Sequence, residues 1–201
     1  MPITELRGRI AACGFESGHR FVIGEWDESP IGPFADVMWA APDGTRTLLA
    51  SSEQARVFIE WVYEFDVSEV VPVDIVREQR STTVAAGPLS IEFVRRRGIG
   101  LGFVRPAWFT RHIEGPIARA VFGVETYGVS PTGVEEWYRA TKWSPIRHGS
   151  ASVAGVSAGE LGSLRPPCGF GFSEPPPQPS LTEVQPRLRW PEHMAPWPRV
   201  A

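Results

Sequence analysis

The chain has 201 residues, 42% hydrophobic and 21% charged, with a net charge of -3 and a pI near 5.9. That length and apolar content suffice to bury one core of ordinary size and exclude a chain disordered throughout. The slightly acidic balance supplies no attraction to phosphate backbones or acidic lipid, so neither nucleic acid nor a membrane is expected as a partner.

The first twenty residues carry Glu5 and Glu16 and no apolar run that would serve as a signal-peptide core. No stretch approaches the ~20 apolar residues of a membrane helix, and a cytoplasmic protein is expected. Arg20 to Trp26 reads as a strand, ended by the bend Ser29-Pro30-Ile31-Gly32-Pro33, whose prolines cannot donate ladder hydrogen bonds. Ala35 to Ala41, then Pro42-Asp43-Gly44, then Thr45 to Ala50 reads as an antiparallel hairpin, with Asp-Gly favouring a type I′ turn. Val37, Trp39 and Ala41 share one face of its first strand, and Asp36 and Met38 the other.

Ser51 and Gln54 have the spacing of a capping box, which predicts a helix over Ser52 to Glu64. Ala55, Phe58, Ile59 and Val62 form its apolar stripe, suited to lying on a sheet. Alternation over 71–76 and again over 89–94 predicts two more strands as a hairpin, with Gly87-Pro88 marking a bulge or edge position. Beyond the arginines 95–97, a short helix is expected over Pro116 to Phe122. Further strands are expected over 124–128, 133–143, 146–156 and 180–188. The last 36 residues contain ten of the twenty prolines, which predicts an extended or irregular tail after Trp190.

Several chemistries lack their motif. Cys13 and Cys168 have no CxxC spacing, so two free thiols are expected rather than a disulfide framework or a zinc site. His19, His112, His148 and His193 are scattered, and no metal or cofactor is expected. Gly98-x-Gly100-x-Gly102 lacks the helix and acidic residue of a dinucleotide site and reads as a flexible loop. Asp27 and Asp36 flank the Ser-Pro bend and suit either a turn or acid–base work in a pocket.

The sharpest candidate is Gly133 to Trp143, GVEEWYRATKW. Period two puts Glu136, Tyr138 and Lys142 on one face, and Trp137, Arg139 and Trp143 on the other. If the first face points inward, a carboxyl, a phenol and the chain's single lysine share a cavity, and a desolvated amine can form a Schiff base with a carbonyl substrate. Glu136, Tyr138 and Lys142 are therefore the candidate catalytic residues, and Trp39, Met38 and Arg139 the candidate ligand contacts. The alternative is an exposed strand whose charges pair across the sheet.

From Ser29 to Phe93, the order SPIGPFADVMW, Asp-Gly turn, TLLASS, helix, VVPVDIV, GPLSIEF resembles a family of conserved, uncharacterised proteins of high-GC bacteria. More distantly it resembles the acetoacetate decarboxylase-like superfamily. The resemblance implies a cone-shaped β-barrel around a cavity. It also implies a Schiff-base lysine, with a glutamate nearby, on the strand after the second hairpin. The matching stretch here, Ile91 to Arg97, has no lysine, so the resemblance carries over the barrel and its cavity but no catalytic residue; Lys142, on a later strand, could substitute only if the geometry allows.

The expected fold is α+β: an antiparallel curved sheet or closed β-barrel, one long helix packed on it, and a Pro-rich C-terminal segment wrapped outside. Residues 1–190 are expected as one domain and 191–201 as a tail. The expected function is binding of a small apolar or carbonyl ligand in an internal pocket, with decarboxylase- or lyase-type chemistry. The alternative is a non-catalytic interaction protein using a sheet edge or the Pro-rich segment.

Overall fold

The computed structural model describes residues 3–100, 127–171 and 174–192. The expected helix over 116–122, most of the strand over 124–128 and most of the tail lie outside these residues. Two strands that the sequence reading did not assign open the fold, β1 (Ile3–Glu5) and β2 (Arg7–Phe15). They are followed by β3 (Arg20–Glu28), β4 (Phe34–Ala40) and β5 (Arg46–Ala50), all antiparallel from β2 to β5.

The β4–β5 connection differs from the expected type I′ turn. Pro42 locks φ near −65° at the first central position, whereas type I′ needs positive φ at both central residues. The turn instead closes with Gly44 N–H donating to the Ala41 carbonyl at 3.0 Å and Ala41 N–H donating to the Thr45 carbonyl at 2.9 Å. Gly44 alone takes the left-handed conformation, φ 93°, as in a type I turn followed by a bulge.

Helix α1 (Glu53–Glu60) is two turns long, shorter than the expected span, and its cap lies one residue later than expected. Ser52 Oγ accepts from Ala55 N–H at 3.1 Å, while Ser51 Oγ accepts from Ala35 N–H and ties the helix entry to β4. The predicted stripe is intact: Ala55, Phe58, Ile59 and Val62 are all buried. The chain then returns in β6 (Val67–Val70), which pairs parallel to β5.

Next come β7 (Val73–Arg77), β8 (Ser81–Ala86) and β9 (Leu89–Arg95), a three-stranded meander in place of the expected hairpin. Gly87-Pro88 is its second turn: positive φ at Gly87 (52°) followed by the fixed negative φ of proline matches a type II′ turn. The remaining strands are β10 (Ile99–Gly100), β11 (Tyr127–Val129), β12 (Glu135–Trp137), β13 (Ala140–Val153), β14 (Val156–Ser157), β15 (Leu161–Gly162), β16 (Ser180–Val184) and β17 (Arg187–Arg189).

Among the described residues the main sheet runs β6-β5-β4-β3-β2-β16-β13-β9-β8-β7 and curls strongly into an open half-barrel. A smaller sheet runs β1-β17-β12-β11. Curling makes two cores. On one side Phe21, Ile23 and Val37 meet Val84, Ile91 and Phe93 across the curl. On the other, Leu48 and Trp26 pack with α1, Val134, Leu188 and Trp190. Strands β2 to β5 are thus covered on both faces, whereas β8 and β9 alternate buried and exposed, as a one-sided strand should.

Phe58 joins the second core through edge-on contacts with Phe34 and Trp190, with centroids 5.9 and 5.8 Å apart. Such pairs contribute about 0.5–1.5 kcal/mol each beyond their buried area. No helix among the described residues is long and apolar enough to cross a membrane.

A carboxyl–phenol cluster in an apolar cavity

Beside the second core, on the face of β2, β3 and β4 opposite the first core, lies a cavity of about 200 Å³. Its wall is mostly apolar, from Ile10, Val22, Phe34, Ile59, Val62 and Val184 among others. The Pro-rich segment forms part of its wall rather than only wrapping the outside, since Phe170, Glu174, Pro175 and Pro176 line it. That loop is fastened at two points. The buried Arg20 donates to the carbonyls of Pro166 and Pro167 at 2.5 and 2.7 Å, and the Glu174 carboxylate accepts from the N–H groups of Cys168 and Gly169, each at 2.7 Å.

The expected strand over 133–143 is two strands in two sheets. β12 sets Glu136 opposite Gly128 of β11 and Leu188 of β17, with its side chain fully buried. Glu135 and Trp137 turn to the other face, where Arg189 pairs with Glu135 and lies 5.1 Å from the Trp137 ring. The chain steps into the main sheet at Tyr138–Arg139, just as its neighbour steps between β16 and β17 at Gln185–Pro186. Gln185 N–H donates to the Arg139 carbonyl at this junction, at 2.8 Å.

The register then slips. Ala140 pairs with Val184 but Lys142 with Glu183, so Thr141 is the extra residue of a β-bulge. A bulge reverses which side chains face inward. Ala140 and Trp143 line the cavity, while Lys142 leaves it and pairs with Glu183 at 3.1 Å, its side chain 38% exposed. The expected face therefore divides: Glu136 and Tyr138 are in the cavity and Lys142 is not.

Of the expected ligand contacts, Met38 lines the cavity. Trp39 lies on the opposite face of β4, packed against the other core, with its indole N–H donating to His19 Nδ1 at 3.0 Å. Arg139 does not line the cavity. Gly98 of the Gly-rich stretch has a packing role, since a Cβ there would lie 2.2 Å from Ser144 Oγ. Cys13 and Cys168 are both free and buried. Among the described residues no group of three His, Cys, Asp or Glu side chains is placed to hold a metal ion.

Two residues complete the cluster. Tyr63, just past α1, donates to Glu136 Oε2 at 2.9 Å and stands 2.5 Å from the Tyr138 hydroxyl. A phenol has one proton, so with Tyr63 donating to Glu136 the Tyr138 hydroxyl is the donor to Tyr63. Glu136 Oε1 has no hydrogen-bond partner among the described residues. Asp36, from β4, is also buried in the cavity wall and accepts from the Trp26 indole N–H at 3.0 Å. A signal for Tyr63 was present in the sequence: it follows Ile59 by four positions and continues the apolar stripe.

Electrostatics follow from this burial. Desolvation pushes the Glu136 carboxyl up to about 8, against the opposing effect of the Tyr63 hydrogen bond. Desolvation likewise pushes Asp36 up to about 7, opposed by the Trp26 N–H. Both phenols are raised well above their ordinary value, first by burial and then by the Glu136 charge. At neutral pH Glu136 is therefore largely a neutral acid; with Tyr63 donating to Oε2, its proton sits on Oε1, which has no hydrogen-bond partner among the described residues.

No family model matches the chain, and no curated protein matches it in sequence. Among solved structures it is similar to the acetoacetate decarboxylase of Legionella pneumophila. That likeness covers 98% of this chain and 88% of the other at 8% identity, with a TM-score of 0.49. At that identity it transfers no residue and no activity.

Proposed function

We propose that the protein binds a small, largely apolar carbonyl compound in this cavity, with the carbonyl oxygen accepting from Glu136. The observation that carries the reading is a buried carboxyl, held by Tyr63 with Tyr138 behind it, whose second oxygen has no partner among the described residues, in a mostly apolar wall. A buried donor without an acceptor costs about 1–3 kcal/mol, and a ligand carbonyl recovers that cost on binding. An imine mechanism is not favoured, because the chain's single lysine is ion-paired outside the cavity.

The test compares 2-tetralone with tetralin, the same skeleton without its oxygen, by ligand-observed NMR titration. The ketone is expected to bind about tenfold tighter, the worth of one hydrogen bond. Its affinity should fall as Glu136 ionises through about 8. Glu136→Gln keeps an N–H donor and loses the titration, so its affinity should be independent of pH over that range. Equal binding of both probes, unchanged with pH in the unaltered protein, would refute the reading.

A further inference from the structure

We propose that Asp36 is the base for proton transfer at the carbon beside the carbonyl, in a small neutral ketone whose oxygen is bound at Glu136. This rests on the carbonyl-binding reading above. Glu136 is occupied as the donor, so it cannot also take a proton from carbon, and a second carboxyl is needed. Asp36 is such a group: it lines the same cavity from β4. Asp36 is buried in a wall that Glu136, Tyr63 and Tyr138 also line, so the two carboxyls share one cavity.

The position of Asp36 is built. Gly24 lies directly across the ladder from it, and a Cβ at Gly24 would come within 2.3 Å of Asp36 Oδ1. The missing side chain leaves the carboxyl room to lie against β3 and meet the Trp26 N–H. Asp36 accepts from an indole N–H, whereas Glu136 accepts from the Tyr63 hydroxyl, itself joined to Tyr138. Two carboxyls in one apolar space thus have different surroundings, the arrangement that separates a base from an acid. The ionisable groups that line the cavity with Asp36 are Glu136, Tyr63, Tyr138 and Glu174.

The step balances without a further reactant. Asp36 takes a proton from the carbon next to the carbonyl, and the C–H electron pair becomes the C=C bond of an enol. The carbonyl π pair moves onto oxygen, which takes the Glu136 proton. Once the proton on Asp36 has exchanged with solvent, its return to the same carbon, with the enol O–H proton going back to Glu136, completes the exchange. Return to an allylic carbon moves a double bond into conjugation, with no change of oxidation state in either case. The described lining has no Arg, Lys or His to hold a substrate carboxylate, which favours a neutral ketone over a keto acid.

The experiment is exchange of the α-protons of 2-tetralone in deuterated buffer, followed by proton NMR with the buffer rate subtracted. The protein should accelerate exchange, and Asp36→Asn, which keeps an oxygen for Trp26, should lower the acceleration at least about 100-fold while the ketone still binds. In the unaltered protein the rate should rise as Asp36 ionises near 7 and fall as Glu136 ionises near 8. In Glu136→Gln the falling limb should disappear. Binding of 2-tetralone without accelerated exchange would overturn the role of Asp36 and leave the carbonyl-binding reading standing. Failure to bind at all would overturn both. Should the asparagine variant not fold, acceleration that is flat with pH in the unaltered protein overturns the inference.

Discussion

Glu136→Gln should flatten the dependence of folding stability on pH, and by an amount fixed by where the carboxyl sits. In the unfolded chain a glutamate ionises near its ordinary value of 4.5, and in the folded protein burial holds it near 8. Between these values the folded state binds a proton that the unfolded state has lost. Stability is therefore greatest on the acid side and falls as pH rises, at about 1.4 kcal/mol per pH unit for one group. From about pH 5 to about pH 7 the loss due to Glu136 is about 2.5 kcal/mol, slightly under the full slope because the unfolded glutamate is not yet fully ionised at the lower end. Asp36 contributes a slope of the same sign, from 3.8 to about 7, and the other titrating groups are common to both proteins. Only the difference between the two slopes is assigned to Glu136. Urea unfolding followed by tryptophan fluorescence at three pH values in that range measures it, provided the denaturant dependence is unchanged. Parallel curves for the unaltered protein and Glu136→Gln would show that Glu136 is ionised in the folded state. The donor role argued for it would then fail.

Three further substitutions test the architecture around the site. Gly24→Ala places a Cβ 2.3 Å from Asp36 Oδ1 and 2.7 Å from Trp26 Nε1, so it should break their hydrogen bond and cost about 1–3 kcal/mol. An unchanged melting temperature would mean that Asp36 lies elsewhere. Lys142→Ala removes a partly exposed ion pair with Glu183 and should change stability by no more than about 1 kcal/mol, leaving 2-tetralone binding intact. Loss of binding would return the amine to the site. Ser52→Ala should cost about 1 kcal/mol through loss of the cap on α1, measured by urea unfolding. No loss of stability in that variant would contradict the observed cap.

Local signals carried the order of β3, β4, β5 and α1, because each junction there is decided by neighbours in sequence: a proline bend, a Gly44 turn, a serine cap, an apolar stripe. Where the expectation failed, the deciding contact was distant. β2 went unassigned because burial on both faces removes the alternation that announces a strand. Ser52 rather than Ser51 caps α1 because Ser51 is engaged by Ala35 of β4. The Pro-rich segment has a role in the cavity because Arg20, in β3, holds the carbonyls of Pro166 and Pro167.

The candidate site shows the same division within a single stretch. Period two put Glu136, Tyr138 and Lys142 on one face without saying which way it points; the structure turns Glu136 and Tyr138 to the cavity, and the shared face ends before Lys142, only four residues further on. The break has one cause, the extra residue at Thr141 in the pairing of β13 with β16, strands whose paired residues lie about forty positions apart in sequence. That bulge also decides the chemistry. Without it, Lys142 would share the face of Glu136 and Tyr138, and an imine would be the natural reading of an amine beside a carboxyl. With it, the amine is in the surface ion pair with Glu183, and Trp143 takes the inward position. The ionisable groups left to act on a carbonyl are then carboxyls and phenols. A second carboxyl, Asp36, arrives from β4 through a pairing with Gly24 that no spacing along the 133–143 stretch reveals. The cavity is thus suited to moving a proton on carbon rather than to holding a substrate by a covalent bond to nitrogen.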